Sequence, residues 1–185
     1  MSLVYEPSDD SFLIERVISS YSKNKNVLDM CTGSGILAKK AVNSKARSVT
    51  AVDINKKALD TIKNKKIIKI HSDLFKKVDG KFDLIVCNPP YLPNDQEEDN
   101  ESKLATSGGK RGDEFILKFI KQSVKHLAKN GIIILLVSSL TPGERIEKLL
   151  EKLNLSSKII AEKKIFFEKL EVLEIKNNYL KSRKN

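Results

Sequence analysis

"LDMCTGSGILA", residues 28–38, decides the fold: an apolar run ends in an acid, a glycine-rich turn follows, and an apolar helix start comes after it. In that pattern Gly33 lets the chain turn sharply, Gly35 lets a ligand approach the backbone, and Ala38 lets the helix pack close to a sheet. Two glycines alone are a weak signal. Here a β-rich run precedes them, a helical run follows, and Asp53 ends the next β-rich run, "SVTAVDI" (48–54), twenty positions after Gly33. A carboxylate at that place can accept both hydroxyls of a ribose. Together these features point to a nucleoside cofactor.

Working outward, "NVLDM" (26–30), "IIKIHSDL" (67–74), "FDLIVCN" (82–88) and "GIIILLVSSL" (131–140) are further short runs, several apolar on consecutive positions. Strands buried on both faces read this way. Between them lie helical stretches: "ILAKKAVNSK", "KKALDTIKNK" and "DEFILKFIKQSVKHLAKN" (113–130). In the last, Phe115, Ile116, Phe119, Ile120, Val124 and Leu127 form one stripe, with Asn130-Gly131 as the expected stop. "PGERIEKLLEKLN" (142–154) adds a helix with proline at its start. Two β-type runs near 156–167 and 170–176 are too close for an intervening helix and imply an antiparallel hairpin. The alternation predicts a single α/β domain over residues 1–185, a mostly parallel sheet covered by helices.

Two cofactors fit the glycine turn, a nicotinamide dinucleotide or S-adenosylmethionine. Asp29 separates them, since a carboxylate just ahead of the turn repels a pyrophosphate and attracts the ammonium of a methionine moiety. Asp73 and Leu74, ending the third run, are placed to meet an adenine's exocyclic amine and ring face.

"CNPPYLP" (87–93) is an unusual strand end. Asn88 and Pro89 each precede a proline and are pushed toward extended geometry, and neither proline has an N–H to donate. Asn88 offers a side-chain carbonyl, Pro89 a backbone carbonyl, and Tyr91 a flat face with a polar tip. This stiff, acceptor-rich corner matches a planar NH2 group. Such nitrogens are poor nucleophiles, and two acceptors on the two N–H bonds would hold the nitrogen and free its lone pair toward an electrophile. A sulfonium methyl is that electrophile. The long irregular stretch from Pro89 to Gly112 closes with "SGGKRG" (107–112) and is expected to move over the site as a lid.

Bulk composition narrows the class. The chain has 185 residues, is 40% hydrophobic and 31% charged, and has no apolar run long enough to cross a bilayer. The N-terminus does not read as a secretion signal, so the expected compartment is the cytoplasm. Cys31 and Cys87 read as reduced core residues. His71 and His126 read as structural or exposed, and no metal site is expected. The net charge of +10 raises nucleic-acid binding, but the run after the corner, "DQEEDNE" (95–101), is acid-rich without a base, a poor neighbour for phosphates.

"DMCTGSG", "VDI", "SDLF" and "NPPY", in this order and spacing, resemble the class I S-adenosylmethionine-dependent amino-methyltransferases. The opening "VYEPSDDSFLI" resembles more narrowly the small archaeal and eukaryotic release-factor glutamine methyltransferases of the HemK group. The resemblance implies a Rossmann-like seven-stranded sheet ordered 3-2-1-4-5-7-6, its last strand antiparallel, with helices on both faces. It implies that Ser11 meets the cofactor's methionine end, that Asp29, Asp53, Asp73, Leu74 and Asn88 line the cofactor, and that Asn88, Pro89 and Tyr91 carry the chemistry. Where the family has glycine this chain has Cys31, so a side chain intrudes beside the cofactor. The resemblance further implies N5-methylation of the glutamine in the Gly-Gly-Gln loop of a peptide-chain release factor, assisted by a small zinc-binding activator protein. The open edge of the third strand is the expected docking place for that partner. Alternatives are methylation of a nucleic-acid base, which lacks a target-recognition domain here, and a non-catalytic cofactor-binding scaffold, which retention of Asn88 and Tyr91 disfavours.

Overall fold

The computed structural model describes residues 7–94 and 106–178. The elements are α1 (Asp9–Ser22), β1 (Asn26–Met30), α2 (Ile36–Asn43), β2 (Ser48–Asp53), α3 (Lys56–Thr61), β3 (Ile67–His71) and β4 (Phe82–Cys87). There follow β5 (Leu92–Pro93), β6 (Ser107–Gly109), α4 (Glu114–Ser123), a 3-10 turn (Val124–His126), β7 (Leu127–Ser138), α5 (Gly143–Lys152), β8 (Leu155–Ile165) and β9 (Glu168–Asn177). Seven strands form one sheet in the order β3-β2-β1-β4-β7-β9-β8, and β5 and β6 pair separately. With that small pair set aside, this is the expected 3-2-1-4-5-7-6 order. β9 runs antiparallel to both β7 and β8, which is the expected hairpin.

The consecutive apolar positions are explained by burial on both faces. Leu28, Met30, Ile85, Cys87, Ile133 and Leu135 pack into one core with Ile116, Phe119 and Ile120 of α4 and Ile146, Leu149 and Leu150 of α5. Val27, Val49, Ala51, Leu84, Val86, Ile134 and Leu136 face the other way, against Ile14 and Ile18 of α1 and Leu37, Ala38 and Ala41 of α2. Neighbours along a strand thus serve opposite layers.

Three expectations need correction. The helix expected over 113–130 ends at Ser123, whose hydroxyl bonds back to the Phe119 carbonyl at 2.6 Å, and a 3-10 turn carries the chain into β7 at Leu127. A 3-10 turn keeps residues three apart on one side, so Val124 and Leu127 extend the helical stripe without extending the helix. Asn130-Gly131 is no stop: it lies in a bulge of β7 between the pairs Phe82–Leu127 and Leu84–Ile132, with Asn130 at φ 117°. α3 ends at Thr61, because Ile62 turns extended and is buried beneath the glycine loop.

The third concerns the expected lid. Of that stretch, residues 95–105 lie outside the described residues, and "SGGKRG" packs on the strand-end corner: β6 pairs with β5. A Cβ on Gly108 would lie 2.9 Å from the Pro90 carbonyl oxygen, and one on Gly112 2.5 Å from that of Tyr91. These glycines let backbone stack directly on backbone. The acid-rich run 95–101 lies outside the described residues.

Candidate active site

The carboxyl ends of β1, β2 and β4 open into one cleft. Crevices at the carboxyl ends of parallel strands are where such sheets bind ligands. The glycine turn (Cys31, Thr32, Gly33, Ser34) forms one wall, Asp53, Ile54 and Asn55 a second, and the corner from Asn88 to Leu92 a third; Asp10, Ser11, Thr106 and Phe115 complete the rim.

At the end of β4 the side chain of Asn88 is held from one side only. Its Nδ2 donates to Asp10 Oδ2 at 3.1 Å and to Ser11 Oγ at 3.3 Å. Asp10 and Ser11 are themselves buried, and Asp10 Oδ1 accepts from the Ser11 backbone N–H. A carboxylate can only accept, so the NH2 end of the Asn88 amide must face it. The carbonyl end is thereby turned the other way: Asn88 Oδ1 is buried and has no hydrogen-bond partner among the described residues. Leaving a buried carbonyl unpaired costs about 1–3 kcal/mol, which marks a place kept for a donor from outside the chain. Pro89 and Pro90 are buried behind it, and Tyr91 packs against both cores while lining the cleft. Thr141 Oγ1 donates to the Tyr91 carbonyl at 3.2 Å, tying the corner to the loop after β7.

Asp53 closes β2 with its carboxylate toward the glycine turn. Oδ2 accepts from Gly33 N at 2.8 Å and Oδ1 from Asn55 N at 2.8 Å. Burial raises its pKa above the ordinary value, and the backbone donors oppose that shift. Lone pairs remain on both oxygens for hydroxyl donors.

Residues 9–167 match the model of the methyltransferase small domain. The chain belongs to that family. A Methanocaldococcus jannaschii protein whose name proposes protein N5-glutamine methyltransferase activity is 38% identical over 178 residues, covering 92% of this chain and 90% of that protein. A release factor glutamine methyltransferase of Borreliella burgdorferi is 33% identical over 143 residues, 69% of this chain and 50% of that protein. This methyltransferase therefore spans about half the length of that bacterial relative. A chain of the E. cuniculi Mtq2–Trm112 complex, described as methylating the eRF1 translation termination factor, superposes with TM-score 0.78 at 23% identity, covering 94% of this chain and 98% of that one.

The methyltransferase brings Ser11, Cys31, Gly33, Asp53, Asn88, Pro89 and Tyr91 to the cleft and leaves four expected residues off its lining. Gly35 faces inward: a Cβ there would lie 2.8 Å from Ile62, so this glycine serves packing, while Gly33 lines the cleft. Asp73 is engaged by Lys76 at 2.7 Å and Lys118 at 3.2 Å, which hold its pKa below the ordinary value. Leu74 is buried in the core beside α4, with φ 49°. Asp29 fastens the glycine turn: its Oδ2 accepts from Thr32 Oγ1 at 2.6 Å and Ala38 N at 2.9 Å, while Oδ1 is buried without a partner.

Cys31 sits at φ 59°, in the left-handed region that favours glycine, so its thiol is bought with backbone strain of about 1–2 kcal/mol. His71 and His126 meet backbone carbonyls, of Ile54 at 2.8 Å and Gly80 at 3.2 Å, and neither lines the cleft. Sequence reasoning did not single out Asp10, the partner that aims Asn88. Its signal was an acid in the first turn of a helix, which helix electrostatics alone would explain.

Burial pushes the Asp29 carboxyl up to about 7, with Asp53 adding to the rise and the bonds from Thr32 and Ala38 opposing it. Between its ordinary value of 3.8 and about 7 the unfolded chain is ionised while the native one keeps the proton. The native state then binds more protons, so this group's contribution to stability falls as pH rises through that window. We expect Asp29→Asn to unfold at higher urea than the parent at pH 8 and to lose the advantage at pH 5. Equal midpoint differences at both pH values would contradict this.

Proposed function

We propose that this chain transfers the methyl group of S-adenosylmethionine to the side-chain amide nitrogen of glutamine in the Gly-Gly-Gln loop of a peptide-chain release factor. The observation that carries the reading is the buried, unpaired Oδ1 of Asn88. It is a neutral acceptor fixed in place before any substrate arrives. A primary amide brings two N–H donors in one plane, one for Asn88 Oδ1 and one for the Pro89 carbonyl, with Tyr91 against the flat face. A lysine ammonium would bring three donors in no plane, plus a charge that a single neutral oxygen compensates poorly.

The cleft fits the cofactor. Asp53 has lone pairs for ribose hydroxyls, Gly33 lines the cleft, and Cys31 of the glycine turn and Ser11, bonded to Asn88, line it as well. S-adenosylmethionine, when bound, supplies a methyl carbon on a sulfonium sulfur. This chain's residues do the rest. Asn88 and Pro89 hold the amide nitrogen and pull electron density along its N–H bonds, which frees the lone pair from the carbonyl. The methyl carbon would pass to the nitrogen, with the carbon–sulfur electrons staying on the departing thioether, while Asn88 and Pro89 would keep the amide in place and one N–H proton would leave to water. Incubation with labelled cofactor and, separately, release factor, DNA and tRNA tests the assignment. Label on the glutamine-bearing peptide is expected, and label on nucleic acid alone would overturn it.

We further propose that the β3 edge receives a small zinc-binding activator protein by strand addition. β3 is the outermost strand of the sheet, and Ile68 on it is 57% exposed while Ile67 is buried. An unpaired apolar edge is a template for another strand. Ile68→Lys should weaken the partner's binding by about tenfold or more in calorimetry. A parent chain that stays soluble and monodisperse alone, with no gain in stability from any partner, would refute the proposal.

A further inference from the structure

The hairpin of β8 and β9 ends in two phenylalanines, Phe166 and Phe167, which are 101% and 94% exposed. Burying one such ring elsewhere in this chain, as at Phe119, is worth roughly 2 kcal/mol, so two rings standing fully in water are a cost the fold itself does not require. Their position gives them a use. Leu173 of β9 pairs with Leu135 of β7, which pairs with Cys87, the residue before Asn88. From that level the hairpin runs on for six residues to Phe167, roughly 20 Å along the strand direction, on the same edge of the sheet as the cleft.

Two links tie the tip to the site. Lys163 Nζ meets Asp9 Oδ1 at 2.8 Å, next to Asp10 and Ser11. Next to the tip, Ser139 N donates to the Lys169 carbonyl at 2.9 Å, and Thr141, two residues on, holds the Tyr91 carbonyl.

Resting on the reading proposed above, we infer that this tip is the docking surface for the body of the protein substrate. A glutamine that reaches Asn88 must project on a loop, and the polypeptide behind that loop lies over the cleft mouth, at the height of the two rings. The chemistry favours an apolar hollow on a folded protein. Of the tip's cations, Lys163 is committed to Asp9, and Lys169 to Glu171 and Glu162. Lys164 has no ion-pair partner among the described residues, and one uncommitted lysine is too few for a phosphate backbone, whose binding rests on neutralising several charges. Aromatic rings at an exposed, rigid turn are the usual anchors of protein interfaces.

The test compares the parent with the Phe166→Ser/Phe167→Ser double variant on intact release factor and on a short peptide carrying Gly-Gly-Gln, together with calorimetric binding to the release factor, which needs no turnover. Both side chains lie in solvent, so the melting temperature serves as the control for folding. We expect KM and Kd for the intact factor to rise about tenfold or more, with kcat, cofactor affinity and peptide turnover unchanged. Unchanged Kd for the intact factor overturns the docking role. So does a double variant that loses self-association or RNA binding in place of factor binding. A parent that binds the factor through the tip yet methylates neither factor nor peptide defeats the methyl-transfer reading and leaves the docking surface standing; a parent that binds no factor defeats the docking.

Discussion

Asn88→Ala is expected to lower kcat by about 10²- to 10³-fold, the loss seen when a preorganised polar contact to a reacting group is removed. Cofactor affinity should stay close to the parent's, because Gly33 and Asp53 are untouched. The side chain has no part in either core, so the fold should survive; what disappears is the buried Oδ1 that waits for a donor. Asp10 gives the sharper test. It makes no demand on the substrate in this geometry and acts by holding Asn88 Nδ2 at 3.1 Å. Asp10→Ala lets the Asn88 amide turn, and kcat should fall about tenfold with little change in KM. Asp10→Asn, which can still present a carbonyl oxygen, should recover part of the loss. In the double variant Asp10→Ala/Asn88→Ala the effects should not add, since one residue works through the other. Additive losses, or an Asn88→Ala enzyme with full activity, would remove the acceptor role.

The sheet was legible because its central strands are buried on both faces, which produces short consecutive apolar runs bounded by turn residues. The corner at Asn88 was legible because two prolines in succession leave little conformational choice. What escaped the sequence was settled by tertiary packing. The end of α4 is set by strand pairing at Leu127, yet the 3-10 turn before it preserves the apolar spacing of a helix. Gly35 reads as a ligand's approach and is a seat for Ile62. Asp29 and Asp73 are acids at strand ends, as expected. One is turned inward to fasten Thr32 and Ala38, the other outward to two lysines, and no local pattern distinguishes those outcomes from contact with a ligand. Asp10 escaped because its partner is 78 positions away.

The loop that packs on the Asn88 corner leads into a buried ion pair, and breaking that pair from either side should give unequal results. Asp113 directly follows Gly112, which lies against the Tyr91 carbonyl, and its side chain is fully buried. Arg145 of α5 reaches it with Nη1 at 2.7 Å from Oδ1 and also meets Glu114 Oε1 at 3.5 Å, while Asp113 Oδ2 has no partner among the described residues; Arg145 remains 39% exposed. Arg145→Met keeps most of the packing stem but leaves a carboxylate buried without compensation, which costs about 3–5 kcal/mol when a buried pair is broken. Because water reaches the arginine side, we expect about 3 kcal/mol in urea unfolding. Asp113→Asn leaves the arginine free to hydrate and the amide able to accept one bond, so it should cost about 1 kcal/mol. The larger loss should also appear as a lower kcat at temperatures where the variant is folded, since a displaced Asp113 carries Gly112 away from Tyr91 and loosens the plane against which the substrate amide lies. Equal destabilisation by the two substitutions would mean that solvent, and not Arg145, compensates Asp113, and the loop would then owe its position to the glycine contacts and the β5–β6 pairing.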